Sequence, residues 1–257
     1  TAQRARRVSA RMARISRYYR TPASMTRILI ADDPPLFRLA LAQTARDAVA
    51  GAVVDEAATL DEAKARLAAH PDTDLVLLDL HMPGSHGLMG LAALRAAHPA
   101  VAVAMISAHD DPATVRRALA HGACAYIPKR LGLDPLRAAL GAVLACETWL
   151  PPGLHEDDSS PAAEDRALAA RLASLTPPQF KVLERVAQGR LNKQIADELG
   201  VQERTIKAHL SVIFEKLGVR NRTQAGVLLR SLELNDPARV APPDNDAGRA
   251  PAGGIRA

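Results

Sequence analysis

From residue 27 to about 146, short apolar runs alternate five times with amphipathic segments. The apolar runs fall at 27–31, 52–56, 75–79, 101–106 and 125–128, and helical periodicity falls at 35–47, 60–70, 87–98, 112–121 and 133–146. Parallel strands need a crossover connection, usually a helix, so this alternation predicts an α/β unit with a five-stranded, doubly wound parallel sheet. Asp33 followed by Pro34 reads as an N-cap with proline at the first helical position.

The strand ends carry the chemistry. The run 28–31 ends in Asp32-Asp33, Leu75 to Leu78 ends in Asp79, Val101 to Ile106 ends in Ser107, and Ala125 to Pro128 ends in Lys129. Ligands of open α/β sheets collect at the carboxyl ends of strands. Three carboxylates, a hydroxyl and an ammonium on one edge form a site for Mg²⁺ and a phosphoryl group. Asp79 is the nucleophile that such a site needs, because a carboxylate that attacks phosphorus forms an acyl phosphate. Mg²⁺ prefers oxygen ligands and usually takes one or two carboxylates plus substrate oxygens. Lys129 supplies a point charge to phosphoryl oxygens.

Charge divides the rest of the chain. The net charge of +5 is dominated by residues 1–24, which hold seven arginines and no acid. Without them the chain has 26 bases and 28 acids. Residues 1–24 read as a disordered basic arm, with Met25 as the expected biological start. The window 174–232 has ten Lys/Arg against five acids, which suits a nucleic-acid surface. The two cysteines, Cys124 and Cys146, lack metal or disulfide spacing and read as reduced core residues. No apolar run reaches the roughly 20 residues of a membrane span. Residues 150–173 read as a Pro- and acid-rich linker with a short helix near 163–173, and residues 235–257 as a disordered tail.

Between 174 and 234 the pattern is all helical, with helices expected at 177–188, 192–199, 203–217 and 223–232. The break at Gly200-Val201 suits a helix-turn-helix. Ile206, Leu210, Ile213 and Leu217 form one apolar stripe that turns Arg204, Lys207, Ala208 and Ser211 outward. That face suits the major groove, where Lys207 reaches guanine or phosphate and Ala208 a thymine methyl. Lys193, Asn192, Arg220, Asn221 and Arg222 are placed as phosphate contacts.

Residues 25–149 resemble the receiver domain of two-component response regulators. The resemblance rests on Asp32-Asp33, the run Val76 to Gly84 around Asp79, Ile106-Ser107-Ala108 and Tyr126-Ile127-Pro128-Lys129. It implies a flavodoxin-like fold, phosphorylation of Asp79 by a cognate histidine kinase, and Mg²⁺ held by Asp33, Asp79 and the His81 backbone carbonyl, with Asp32 acting largely through water. It also implies that Ser107 and Lys129 contact the phosphoryl group and that Tyr126 moves inward with Ser107. Two positions depart from the family pattern: Arg130 stands where many receivers have proline, and Pro34-Pro35 follows the acidic pair.

Residues 174–234 resemble the LuxR-type helix-turn-helix of NarL/FixJ regulators, through Leu175 to Leu183, Gly189 to Ala196, Arg204 to His209 and Lys216 to Ala225. The resemblance implies DNA contact by Thr205 as well as the residues above, and places His209 as a phosphate contact or a packed helix histidine. It also implies homodimerisation through the last helix, at Ala225, Leu228 and Leu229. Gln202 departs from the serine common before the recognition helix and is a weak cap.

The chain is therefore expected to be a cytoplasmic, DNA-binding response regulator that is not an enzyme. A phosphorylation-independent LuxR-type factor with a receiver-like sensing domain is the alternative. A Mg²⁺-dependent aspartyl-phosphate phosphohydrolase of the haloacid dehalogenase type needs a second acid two residues after the nucleophile, where this chain has His81. The unphosphorylated receiver is expected to restrain the DNA-reading face or the dimer helix.

Overall fold

The computed structural model describes residues 25–85, 87–145, 147–151, 153–154 and 163–232. The basic arm, the tail, Cys146 and most of the acidic linker lie outside the described residues.

The first unit runs β1 (Arg27–Ala31), α1 (Pro35–Ala48), β2 (Val53–Ala57), α2 (Leu60–Ala69), β3 (Leu75–Asp79), α3 (Met89–Ala97), β4 (Ala102–Ser107), α4 (Pro112–Ala120), β5 (Ala125–Pro128) and α5 (Leu133–Leu144). All strand pairs are parallel, in the order β2-β1-β3-β4-β5. The predicted doubly wound sheet is the one observed. Leu75 to Asp79 is buried along its length, as expected of a central strand covered on both faces. One face packs Leu41, Ala45, Leu136 and Leu140 of α1 and α5; the other packs Leu67, Leu91 and Val115 of α2, α3 and α4.

Local sequence explains the helix starts. Thr59 Oγ1 accepts the Glu62 N–H at 3.1 Å, while Glu62 accepts the Ala58 N–H at 2.8 Å. Asp111 caps α4 by accepting the Thr114 N–H at 2.9 Å, with Pro112 at the first helical position. At α1 the expectation needs correction. The helix begins at Pro35, so Pro34 is the N-cap residue and no side chain caps the helix. The second proline takes the favoured first position, and the Asp33 carboxylate is free for other work.

The edges of the sheet are closed differently. β2 carries Asp55 and Glu56, which pair with Arg27 and Arg38. β5 is short and is followed in space by Trp149, which bridges to Ala125 and accepts the Tyr126 N–H.

The second unit comprises α6 (Ala163–Ala173), α7 (Pro177–Ala187), α8 (Asn192–Leu199), α9 (Glu203–Leu217) and α10 (Arg222–Arg230). Gly200 and Gly218 adopt left-handed φ of 64° and 69°, ending α8 and α9 as helix C-caps. Residues 163–173, assigned to the linker, form a packed helix rather than a spacer. Leu168 and Leu172 are buried against both units, and Arg171 donates to the Leu217 carbonyl at the end of α9. One apolar core thus runs from the receiver-like unit into the helical unit.

Candidate functional site

The strand order reverses direction between β1 and β3, so a crevice opens at their carboxyl ends. Asp32 leaves β1 fully buried, Asp33 follows half-buried, and Asp79 ends β3 buried. One carboxylate oxygen from each lies within 4.8 Å of the others. Lys129, at the end of β5, places Nζ 2.7 Å from Asp32 Oδ2 and 3.0 Å from Asp79 Oδ2. Burial raises the Asp32 pKa to about 6, although the bond and charge of Lys129 act in the opposite direction. Burial also raises Asp79, opposed by Lys129 and by the His81 backbone N–H.

The fit to a hard divalent cation is good. Three hard oxygen donors converge, and Asp32 Oδ1 is buried without a hydrogen-bond donor. The acidic loop is held from behind. Arg38 donates to the Asp32 carbonyl at 2.6 Å and the Asp33 carbonyl at 3.2 Å, and pairs with Glu56 at 3.4 Å. Lys129 Nζ also lies 4.9 Å from the Phe37 ring centroid, a cation–π contact that fixes the ammonium over the pocket.

Ser107 and Tyr126 are both fully buried. Ser107 Oγ accepts the His109 N–H at 3.0 Å, and Tyr126 Oη donates to the His109 carbonyl at 2.6 Å. Burial holds the Tyr126 phenol above its usual pKa. Tyr126 thus occupies an inward position. The His81 and His109 rings meet edge-on, with centroids 5.1 Å apart, beside the carboxylates.

The helical unit presents its predicted DNA face to solvent. Arg204, Lys207, Ala208 and Ser211 of α9 are exposed, and Thr205 and His209 are half-buried. Lys207 pairs with Glu203 at 3.0 Å, and Ser211 Oγ bonds back to the Lys207 carbonyl at 3.1 Å. Gln202 caps α9 only through its backbone. Lys193 and Arg220 are exposed. Asn221 caps α10, accepting the Gln224 N–H at 2.9 Å. Arg222 donates to Asn192 at 3.5 Å and to the Arg190 carbonyl, tying α10 to the start of α8.

The dimer face expected on α10 needs correction. Ala225 is fully buried and Leu229 is 2% exposed, because both pack inside their own protomer. Leu228 is half-buried, and the exposed apolar residue of this helix is Val227, at 58%.

Residues 28–141 match the response regulator receiver domain, and residues 173–229 match the bacterial regulatory proteins of the luxR family. The glycerol metabolism activator of Pseudomonas putida is 41% identical over 206 residues, covering 78% of this chain and 93% of that protein. The nitrate/nitrite response regulator NarL of Escherichia coli K12 is 34% identical over 201 residues, covering 78% and 93%. The chain belongs to the NarL-type response regulators. Among solved structures, Salmonella typhimurium RcsB is 20% identical over 81% of this chain and 100% of its own, with a TM-score of 0.46.

The regulator uses residues that sequence reasoning did not single out. Arg38 and Phe37 stand in the first turn of α1, and only the fold shows that they buttress the acidic loop and the lysine. His109 had a weak signal, two residues beyond Ser107. Arg117, Asp165, Lys64 and Glu184 make contacts across the two units that no local pattern announces. Among the described residues of this regulator, no helix is long and apolar enough to cross a membrane.

Proposed function

We propose that Asp79 accepts a phosphoryl group from a histidine kinase, and that this controls transcription through the α9 face. The observation that carries the reading is the Lys129 ammonium bridging Asp32 and Asp79 in a buried three-carboxylate pocket. Asp79 attacks phosphorus, the donor's phosphorus–nitrogen bond breaks, and the imidazole leaves with a proton. The new bond joins the Asp79 carboxylate to phosphorus.

Asp32, Asp33 and Asp79 would hold Mg²⁺, with the His81 carbonyl completing the protein ligands. The ion would supply charge neutralisation for the transferring phosphoryl group. Lys129 then exchanges a carboxylate partner for a phosphoryl oxygen, and the Ser107 hydroxyl turns from the His109 N–H toward the same group. This chemistry is self-directed, so the protein is a switch rather than an enzyme acting on other molecules, and it works in the cytoplasm.

On DNA, Lys207 and Ala208 read base edges, assisted by Arg204, Thr205 and Ser211. Lys193, Arg220 and His209 reach the backbone. Asn192, Asn221 and Arg222 position the ends of α8 and α10 and present backbone N–H groups to phosphate. Homodimers pair through Val227 and Leu228, after adjustment of α10. Labelling with acetyl phosphate in Mg²⁺ tests the first step. Wild type is labelled and Asp79→Asn is not; acid-labile phosphate retained on the variant places the acceptor elsewhere.

A further inference from the structure

The receiver unit grips the helical unit by the end of its last helix and leaves the reading helix free. The Leu232 carbonyl, just past α10, accepts the Leu88 N–H at 3.0 Å, and the Leu232 side chain is fully buried. The Ser231 carbonyl accepts from the Arg117 guanidinium. Arg117 also pairs through Nε with Asp165 of α6 at 3.4 Å. One side chain on α4 therefore holds both the linker helix and the terminus of α10. Lys64 and Glu184, 2.6 Å apart and mostly shielded, clamp α2 to α7 beside it. By contrast, Arg204, Lys207, Ala208 and Ser211 stay exposed.

Arg117 is also joined to the phosphoryl pocket. α4 follows the loop that contains His109, and that peptide is held on both sides, by the Ser107 hydroxyl and by the Tyr126 phenol. Asp111, two residues further, caps α4. When the Ser107 hydroxyl changes partner, its bond from the His109 N–H breaks, and the shift passes to the start of α4. A signal of this kind requires an element with two arrangements that both sites bias.

Resting on the reading above, we propose that Arg117 is the coupling residue of this regulator. It clasps the C-terminal end of α10 while the Asp79 pocket is unmodified, withholding the dimer helix without covering the DNA-reading helix. The unmodified chain then binds a single half-site as well as the phosphorylated chain does. Phosphorylation adds pairing of protomers, so its benefit appears only on DNA with two half-sites.

The test uses the full chain in an Asp79→Asn background, which cannot be phosphorylated on that residue. Sedimentation velocity reads self-association, and fluorescence anisotropy reads binding to one- and two-half-site duplexes taken from a footprinted promoter. Adding Arg117→Ala is expected to tighten self-association and two-half-site binding at least tenfold and to leave one-half-site binding unchanged. Asp165→Asn, a milder change that keeps the Ser231 contact, is expected to move in the same direction by a smaller factor. Arg117→Glu with Asp165→Arg, which restores an opposite-charge pair, should return part of the restraint.

If folded Arg117→Ala and Asp165→Asn both match the Asp79→Asn parent while wild type still responds to acetyl phosphate, the clasp is refuted and the phosphorylation reading stands. If one-half-site binding rises with the variants, the reading helix was covered and the proposal fails. If wild type neither associates nor gains DNA affinity after labelling on Asp79, the phosphorylation reading itself fails.

Discussion

The fully buried Tyr126 donates its phenolic proton to the backbone carbonyl of half-buried His109, 2.6 Å away. This bond spans from β5 to the loop that starts α4, so it joins the pocket to the contact surface of the helical unit. Tyr126→Phe removes the donor of this part-buried bond. The expected cost is about 1 kcal/mol of stability. Labelling of Asp79 should persist, while the gain in DNA affinity on labelling should shrink. Thermal melts and anisotropy before and after acetyl phosphate measure the two effects. A full phosphorylation response in the variant would show that the loop does not depend on this bond.

The acidic pocket gives a pH signature. Asp32 is raised by burial to about 6, above its ordinary value near 3.8. A carboxyl with a raised folded pKa binds its proton more tightly folded than unfolded. Its stability contribution is complete below pH 3.8 and is lost as pH rises through 6. Added Mg²⁺ should restore stability above pH 6, where the carboxylate is ionised, and do little at pH 5. At a hundredfold excess over its dissociation constant the ion adds about 2.7 kcal/mol. Melting temperatures with and without Mg²⁺ at pH 5 and 7.5 decide this, and equal shifts at both would remove Asp32 from the metal set.

His121 works with the opposite sign. It ends α4, is 5% exposed, and burial drives its pKa down to about 4, with Asp165 raising it and Arg117 lowering it. The unfolded chain takes up this proton near pH 6.5 and the folded chain only near 4. The stability tied to the neutral ring is complete above pH 6.5 and is lost as pH falls toward 4, by about 3 kcal/mol at most. Because Asp32 acts oppositely over much of this range, the informative quantity is the difference between wild type and His121→Gln. That difference should change steadily from pH 6.5 to 4.5. A flat difference profile would mean that the imidazole takes up its proton as readily in the fold as in the unfolded chain.

On α9 the Lys207 ammonium is occupied by Glu203, 3.0 Å away. DNA must displace that partner. Lys207→Ala should weaken specific binding by about 1–3 kcal/mol if the lysine meets a base bidentately. Glu203→Gln should strengthen binding, because a freed cation joins a polyanion and one repulsive charge is gone. Affinity measured against salt concentration checks both, and a Lys207→Ala slope equal to wild type would take the lysine off the phosphate backbone.

Much of the receiver was legible because its signals are local. Buried parallel strands are continuous apolar runs, so the strand-end positions of Asp32, Asp79, Ser107 and Lys129 follow from counting. The reading helix was legible for the same reason, since the stripe Ile206, Leu210, Ile213 and Leu217 fixes what faces out. The dimer residues were misplaced because α10 carries two apolar faces. Periodicity finds both but cannot say which one the protomer itself covers with α7. The cap of α1 failed on a choice between adjacent prolines. Contacts such as Lys64 with Glu184, 120 residues apart, depend on how two finished units dock, and no pattern within either unit encodes that.

Trp149 has a consequence for assembly. By bridging to Ala125 and accepting the Tyr126 N–H, it covers the outer rim of β5 with the chain's own backbone. The opposite rim, β2, carries charges already engaged by arginines. Charged side chains on one border and the chain's own backbone on the other both disfavour addition of a strand from another molecule. In a regulator that gathers on DNA, these borders favour association through helices over growth of the sheet.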